Sequence, residues 1–338
     1  LDKSGKCEAD PRTLAFINAT LDLEKPDLVV LSGDQVNGET SPDARSAVFK
    51  FANVFIQRKI PYATIFGNHD NEGSIVSRDA LMQLIQTLPY SLAEPGPPNI
   101  DGVGNYYVEV LGRGTSSHSA LTLYFFDTHS YSPDERKYKG YDWLKKSQID
   151  WFKNAAQGLR LSHPHTQYTH VHMDMAFIHI PLPEYRNIAD IDPASGSHLE
   201  PPTAPVFNSG FKSALVEEGV LAVSCGHDHA NDYCALAKRG AGNADDANAG
   251  KPELWMCYAG GSGFGGYAGY GGYQRRVRIY DFDMNEARIV TWKRIEGGGD
   301  GRTAAGREKL EGSQVNATIS NGRVDEIILV EGGKLVSS

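Results

Sequence analysis

The chain is 338 residues long, 40% hydrophobic and 22% charged, with a formal net charge of −9. These proportions describe a folded globular protein rather than a disordered, collagenous or cysteine-packed one. No apolar stretch reaches the roughly 20 residues of a bilayer-crossing helix, and the negative charge weighs against nucleic acid as a partner.

Asp10-Pro11 predicts a helix start, a capping carboxylate followed by proline in the first turn. Leu14, Ile17 and Leu21 then share one face, and Pro26 ends the helix. Leu28 to Leu31 reads as a strand that runs into Gly33-Asp34. A second helix carries Val48, Phe51, Ala52 and Phe55 at spacings of three and four. After Pro61 comes a strand, Ala63 to Phe66, leading into Gly67-Asn68-His69-Asp70. A third helix, capped near Ser77, turns Leu81, Leu84, Ile85 and Leu88 inward. This alternation predicts a largely parallel sheet with right-handed crossovers.

The pattern changes after Pro89. Tyr106 to Val110 and Ala120 to Phe126 read as strands joined by a turn, the second ending in Asp127-Thr128-His129. A helix from about Ser147 carries Ile149, Phe152, Ala156 and Leu159. Met175 to Ile178 leads into His179, and the proline-rich segment from Pro181 to Gly210 is expected as a surface excursion beside the site. Val220 to Val223 leads into Ser224-Cys225-Gly226-His227-Asp228-His229. Later strands are Trp255 to Tyr258, Arg275 to Tyr280 and Ala287 to Thr291, with Arg275, Arg276 and Arg278 expected to be alternately exposed. Gly297-Gly298-Gly299 reads as a linker, so one domain over 1–296 is expected, then a tail over 297–338 with one short strand, Ile327 to Val330.

The cysteines are Cys7, Cys225, Cys234 and Cys257, and there are sequons at Asn18 and Asn316. In an oxidising compartment Cys234 and Cys257 are the expected pair, closing the charged loop from Lys238 to Lys251. Cys225 is then a buried thiol, and Cys7 is free or pairs upstream. In a reducing compartment all of them stay thiols. The sequons favour a secreted or endomembrane location, the vacuole included.

Four strand-like runs end in metal-ligand types, and open α/β sheets bind at such carboxyl ends. Asp34, Asn68, His179 and His227 would supply a carboxylate, an amide oxygen and two imidazoles. That mixture suits Zn²⁺, Mn²⁺ or iron rather than Ca²⁺. His229 is placed to serve a second ion, and a pair of metals suits in-line attack on a phosphate ester. His69, directly after Asn68, is the candidate at the leaving oxygen, with Asp70 orienting it. His129 is expected at the rim. Ala259 to Gly272 is glycine-rich, with Phe264 and Tyr267 at helical-like intervals. It reads first as a close-packed loop and second as an aromatic rim for an apolar leaving group, lipid or aryl. Its dinucleotide-like G-x-G-x-x-G match is followed by no helix pattern.

Gly33-Asp34, Gly67-Asn68-His69-Asp70, His179 and Gly226-His227-Asp228-His229 resemble, in order and spacing, the signature of the calcineurin-like metallophosphoesterase superfamily. The likeness is greatest to fungal phosphatases related to purple acid phosphatases, and it spans roughly residues 7 to 295. It implies an αββα sandwich of two facing mixed sheets and a dimetal-bound hydroxide that attacks a phosphoric monoester or diester. A phospholipase C-like diesterase and a non-catalytic scaffold of the same fold are the alternatives. In this likeness Asp34 corresponds to the bridging carboxylate. Asn68, His179 and His227 correspond to ligands of one metal, His229 to a ligand of the other, and His69 to the residue near the leaving group. A phosphate ester substrate, a monomer and two divalent or trivalent ions follow. The family's initial Asp-x-His is absent, since the first histidine is His69. An upstream strand is therefore expected to carry it. Asn37 stands where purple acid phosphatases have a metal-binding tyrosine, so no tyrosinate colour is expected.

Overall fold

The computed structural model describes residues 9–73, 76–111, 119–162, 172–188, 194–240, 249–265, 274–297 and 319–337. In chain order the elements begin α1 (Ala9–Glu24), β1 (Val29–Ser32), α2 (Ala44–Arg58), β2 (Tyr62–Ile65) and α3 (Arg78–Ile85). There follow β3 (Tyr106–Leu111), β4 (Ser119–Phe125), α4 (Lys146–Ser162), β5 (Asp174–Phe177), α5 (Tyr185–Ile188) and α6 (Phe211–Glu217). The last are β6 (Val220–Cys225), β7 (Cys234–Lys238), β8 (Pro252–Tyr258), β9 (Arg276–Asp283), β10 (Arg288–Ile295), β11 (Val324–Glu331) and β12 (Lys334–Leu335). Helix starts follow side-chain chemistry. The Asp43 carboxylate accepts from the Arg45 N–H ahead of α2, and the Ser77 hydroxyl accepts from the Ala80 N–H ahead of α3.

The central layer is a six-stranded sheet in the order β3-β4-β5-β6-β8-β7. Strands β4, β5, β6 and β8 run parallel, and β3 and β7 close the edges antiparallel. The parallel strands are predominantly apolar because both faces are covered. On one face α4, α5 and α6 deliver Phe152, Tyr185 and Phe211 onto Tyr124, Phe126 and Val223. The other face carries Phe125, Phe177 and Trp255, which pack against Ile65, Ile289 and Leu329 of the second strand layer. Side chains of this size contribute about 1.5–3 kcal/mol each when fully buried. The second layer consists of the parallel pair β1-β2 and the antiparallel sheet β12-β11-β10-β9. Helices α1 and α2 cover β1-β2 with Leu14, Ile17, Ala52 and Phe55. Helix α1 also reaches the neighbouring sheet, where Glu24 accepts from Trp292 Nε1 at 3.0 Å. The result is the expected helix–sheet–sheet–helix arrangement, with the second sheet in two parts among the described residues.

Several expectations need correction. The strand expected at Ile327 to Val330 is β11, longer than expected; it pairs with β10, and Leu329 and Val330 are fully buried. Arg275 and Arg276 are buried rather than alternately exposed. Arg276 pairs with Asp232 at 2.9 Å, and Arg278 donates to the carbonyls of Tyr258 and Asp232. Lys293 of β10 meets Asp232 at 2.8 Å and Asp325 at 2.5 Å. Alternation in β9 is misleading because its second face meets other protein rather than water. The segment after Pro181 is more than an excursion, since Tyr185 and Glu200 are buried in it.

Cys234 and Cys257 form the disulfide, as paired residues of neighbouring strands β7 and β8, and Cys225 is a buried free thiol. Cys7, Asn316 and Tyr267 lie outside the described residues. No described helix is long and apolar enough to cross a membrane.

Candidate metal centre

The strand ends at β1, β2, β5 and β6 meet at one point. Asp34, His179 and His227 place their ligand atoms within 4.8 Å of one another. His179 Nε2 lies 3.1 Å from Asp34 Oδ2, 3.2 Å from Asn68 Oδ1 and 3.3 Å from His227 Nδ1. Its other nitrogen, Nδ1, donates to the Ser32 carbonyl at 2.8 Å. With that proton placed on Nδ1, Nε2 presents a lone pair to three further lone pairs. Four Lewis bases then face one another, and a cation reconciles them in place of the proton that the Asp34 carboxylate favours on Nε2.

The spacing agrees. Ligands held at 2.0–2.2 Å from a first-row ion stand about 3.0–3.4 Å apart along the edges of an octahedron or tetrahedron. His227 Nε2 and Asn68 Nδ2, the ends turned away from the cluster, are buried without a hydrogen bond.

The backbone is shaped to bring these groups together. Asp34 and His227 both sit at positive φ, 56° and 73°, a conformation uncommon for residues other than glycine. Gly33 and Gly67 permit the close approach. A Cβ at Gly33 would stand 2.3 Å from His179 Nδ1, and one at Gly67 would stand 2.1 Å from Asp34 Oδ1. Asp228 braces the histidine loop by accepting from Tyr258 Oη at 2.6 Å and from the Thr203 hydroxyl.

Electrostatics follow from burial and pairing. Burial pushes the Asp34 carboxyl up, but the adjacent His179 outweighs it and holds Asp34 below the usual range. Burial opposes the charge on His179, yet the Asp34 carboxylate lifts it above its ordinary value. Burial and then His179 push His227 well down, so its imidazole is neutral and free to coordinate.

Asp70 does not orient His69. Its carboxylate accepts from the N–H groups of Asp34 at 2.8 Å, Val36 at 2.9 Å and Gly67 at 2.7 Å, tying the two loops together. Burial, with the Asp34 charge added, pushes its carboxyl up to about 6. The partner of His69 is Glu72, whose Oε2 contacts Nδ1. A turn with Glu72 N donating to His69 O at 3.3 Å folds Glu72 back over the ring. The His69 N–H donates to Asp34 Oδ1 at 2.8 Å.

His129 is anchored inward, its Nε2 donating to the buried Gln148 Oε1 at 2.8 Å. Phe264 docks on α1: its N–H donates to Thr13 Oγ1, and Arg12 lies 4.1 Å over its ring. His229 lies outside the tight cluster, and its carbonyl accepts from the Gly261 N–H at 3.1 Å.

Arg78, which sequence reasoning missed, is a strut beneath the site. It pairs with Asp127 and donates to the carbonyls of Gly67 and His129. Tyr131 was also missed; its hydroxyl donates to Glu72 Oε1 at 2.9 Å. Nothing in their sequence neighbourhood marks either residue, because both act across the fold.

The model of the calcineurin-like phosphoesterase family matches residues 7–231, and the chain belongs to that family. It is 42% identical over 306 residues to Phosphatase DCR2 of Saccharomyces cerevisiae, covering 87% of this chain and 50% of the yeast protein. It thus spans about half the length of that relative. It is 37% identical over 311 residues to "Probable inactive purple acid phosphatase 14" of Arabidopsis thaliana, covering 85% of this chain and 73% of the plant protein. Among solved structures, the purple acid phosphatase PPD1 of yellow lupin aligns with a TM-score of 0.46 at 12% identity, over 84% of this chain and 46% of that one. The family implies a dimetal centre and metal-dependent hydrolysis of phosphoesters.

Proposed function

We propose that this chain hydrolyses phosphoric esters, with Asp34, Asn68, His179 and His227 holding one cation. His229 and Asp34 serve a second, and His69 acts at the leaving oxygen. The observation that carries this reading is the set of four lone-pair donors converging on one point at strand ends. Zinc, manganese and iron fit the mixed nitrogen and oxygen donors. When bound, such ions supply Lewis acidity, drawing charge from phosphoryl oxygens and lowering the pKa of water. The protein's own part is orientation and proton transfer. As the oxygen of water bonds to phosphorus and the ester P–O bond breaks, a His69 ring protonated on both nitrogens gives its Nε2 proton to the departing oxygen, and the proton that water releases restores the ring through solvent.

The substrate is a phosphate monoester or diester. A phospholipase C-like diester with an apolar leaving group is the narrower variant. The chain is expected to act as a monomer without nucleic acid. The Cys234–Cys257 bridge supports an oxidising compartment, secretory or vacuolar.

The test compares p-nitrophenyl phosphate with its bis-ester after reconstitution with Zn²⁺, Mn²⁺ or Fe²⁺. Turnover of one ester over the other assigns the class. His69→Ala should abolish turnover while metal content holds. Bound metal with no turnover of either ester would overturn the enzyme and leave a scaffold, a reading that the name of the Arabidopsis relative keeps in view.

A further inference from the structure

Residues 130–142 form a small hairpin between β4 and α4. Ser132 N donates to Gly140 O at 2.8 Å, and Asp142 N donates to Ser130 O at 2.9 Å. Tyr131 and Tyr141 face each other across it, with rings stacked at 5.6 Å between centroids. Tyr141 packs against the His227 imidazole at 4.4 Å. Tyr131 reaches the opposite side of the site. Its hydroxyl donates to Glu72 Oε1, while Glu72 Oε2 holds His69 Nδ1. The same hydroxyl lies beside the Asn68 side chain. One aromatic pair therefore links a metal-ligand histidine to the histidine at the leaving group.

We infer that Glu72 is the positioning residue for His69, and that Tyr131, by fixing Glu72, makes the hairpin part of the leaving-group side of the cleft. Three features support this. The carboxylate adjacent in sequence, Asp70, is committed to backbone N–H groups and cannot serve. With Nδ1 engaged by Glu72, His69 can offer only Nε2, in one ring orientation. Glu72 itself cannot swing away while Tyr131 occupies its second oxygen. A side chain that acts by placing another has its largest effect where the placed group is most needed. That is with alkyl esters, whose departing oxygen is strongly basic, and less so with aryl esters.

The inference rests on the hydrolase reading, and the experiment separates the two. Glu72→Ala, Glu72→Gln and Tyr131→Phe are compared with the parent protein, all reconstituted with the same metal, on ethyl phosphate and p-nitrophenyl phosphate. For Glu72→Ala, kcat on the alkyl ester should fall on the order of 10²-fold, with a clearly smaller fall on the nitrophenyl ester and unchanged metal content. Glu72→Gln, which can still accept from Nδ1–H, should recover part of the loss, and Tyr131→Phe should lie between Glu72→Gln and the parent. In the metal-free proteins, at a pH that leaves the ring neutral, the ¹⁵N ring signals of His69 should report one Nδ1–H tautomer in the parent and a mixture in Glu72→Ala. Equal losses on both esters, or unaltered His69 ring signals, would overturn the inference. If the parent hydrolyses neither of these monoesters nor the bis-nitrophenyl diester, the hydrolase reading falls, and the ring signals alone still decide whether Glu72 holds His69.

Discussion

Asp34 and His227 adopt left-handed backbone conformations that cost non-glycine residues of order 1 kcal/mol or more. The strand-to-loop corners at β1 and β6 accept that cost in order to aim the two side chains at His179. Gly67 works in the opposite sense, by having no side chain where Asp34 must pass. Gly67→Ala should therefore weaken metal binding by about 10–100-fold, the usual scale for disturbing what supports a ligand. Titration calorimetry with Zn²⁺ reads this directly, and unchanged affinity would refute the packing argument. Asp34→Asn keeps a residue that tolerates positive φ but removes the charge, so metal content measured by elemental analysis should fall while the fold persists.

At this scale the ligands were legible because glycine and a ligand type follow each apolar run. The partner of His69 was not. Whether the carboxylate one residue on or three residues on reaches the ring depends on the turn, and the turn brought Glu72 back while drawing Asp70 into the backbone.

Among the elements, the six-stranded sheet was the most readable, since β4, β5, β6 and β8 are mostly apolar and separated by helices or loops. Strand β7 gave no such signal; only its cysteine marked it. The bridge at its start closes a loop across a sequence separation of 23 and ties the edge strand to β8. Replacing both cysteines by serine should lower stability by about 3 kcal/mol in the chain-entropy model, read as a shift in the urea midpoint. Metal stoichiometry should stay constant, because neither cysteine is a ligand. Strands β9 to β11 were harder to read. Their arginines and Lys293 look like a solvated face, yet they meet Asp232 and Asp325 inside the protein. Phe264 was hard to place for a related reason: its spacing showed an aromatic but not which surface it would cover, and Arg12 and Arg275 hold it against α1.

Across the whole molecule, Asp232 joins the layers. It comes from the loop before β7 in one sheet and binds Arg276 and Lys293 of the other. Burial alone would raise its carboxyl, but Arg276 and then Lys293 prevail and hold it below the ordinary value of 3.8. The unfolded chain therefore takes up this proton first. The contribution is complete above the unfolded value and is lost as pH falls through the lowered folded value. Urea midpoints should drop across that acidic window in the parent protein, and the Asp232-dependent part of the drop should vanish in Asp232→Asn. The same substitution should cost about 3–5 kcal/mol near neutral pH, because it takes the carboxylate from buried Arg276 and leaves Lys293 with Asp325 alone. The layered plan was visible in the order of strands and helices, whereas this cross-layer charge cluster depends on contacts between segments far apart in the chain.

Burial of the bridge has a practical sequel. Both bonded sulfurs belong to residues with no solvent exposure, so a reducing agent reaches them only in molecules that have already opened. At saturating dithiothreitol the pace of thiol release should stop depending on reagent concentration, and it then becomes a clock for spontaneous opening of the domain.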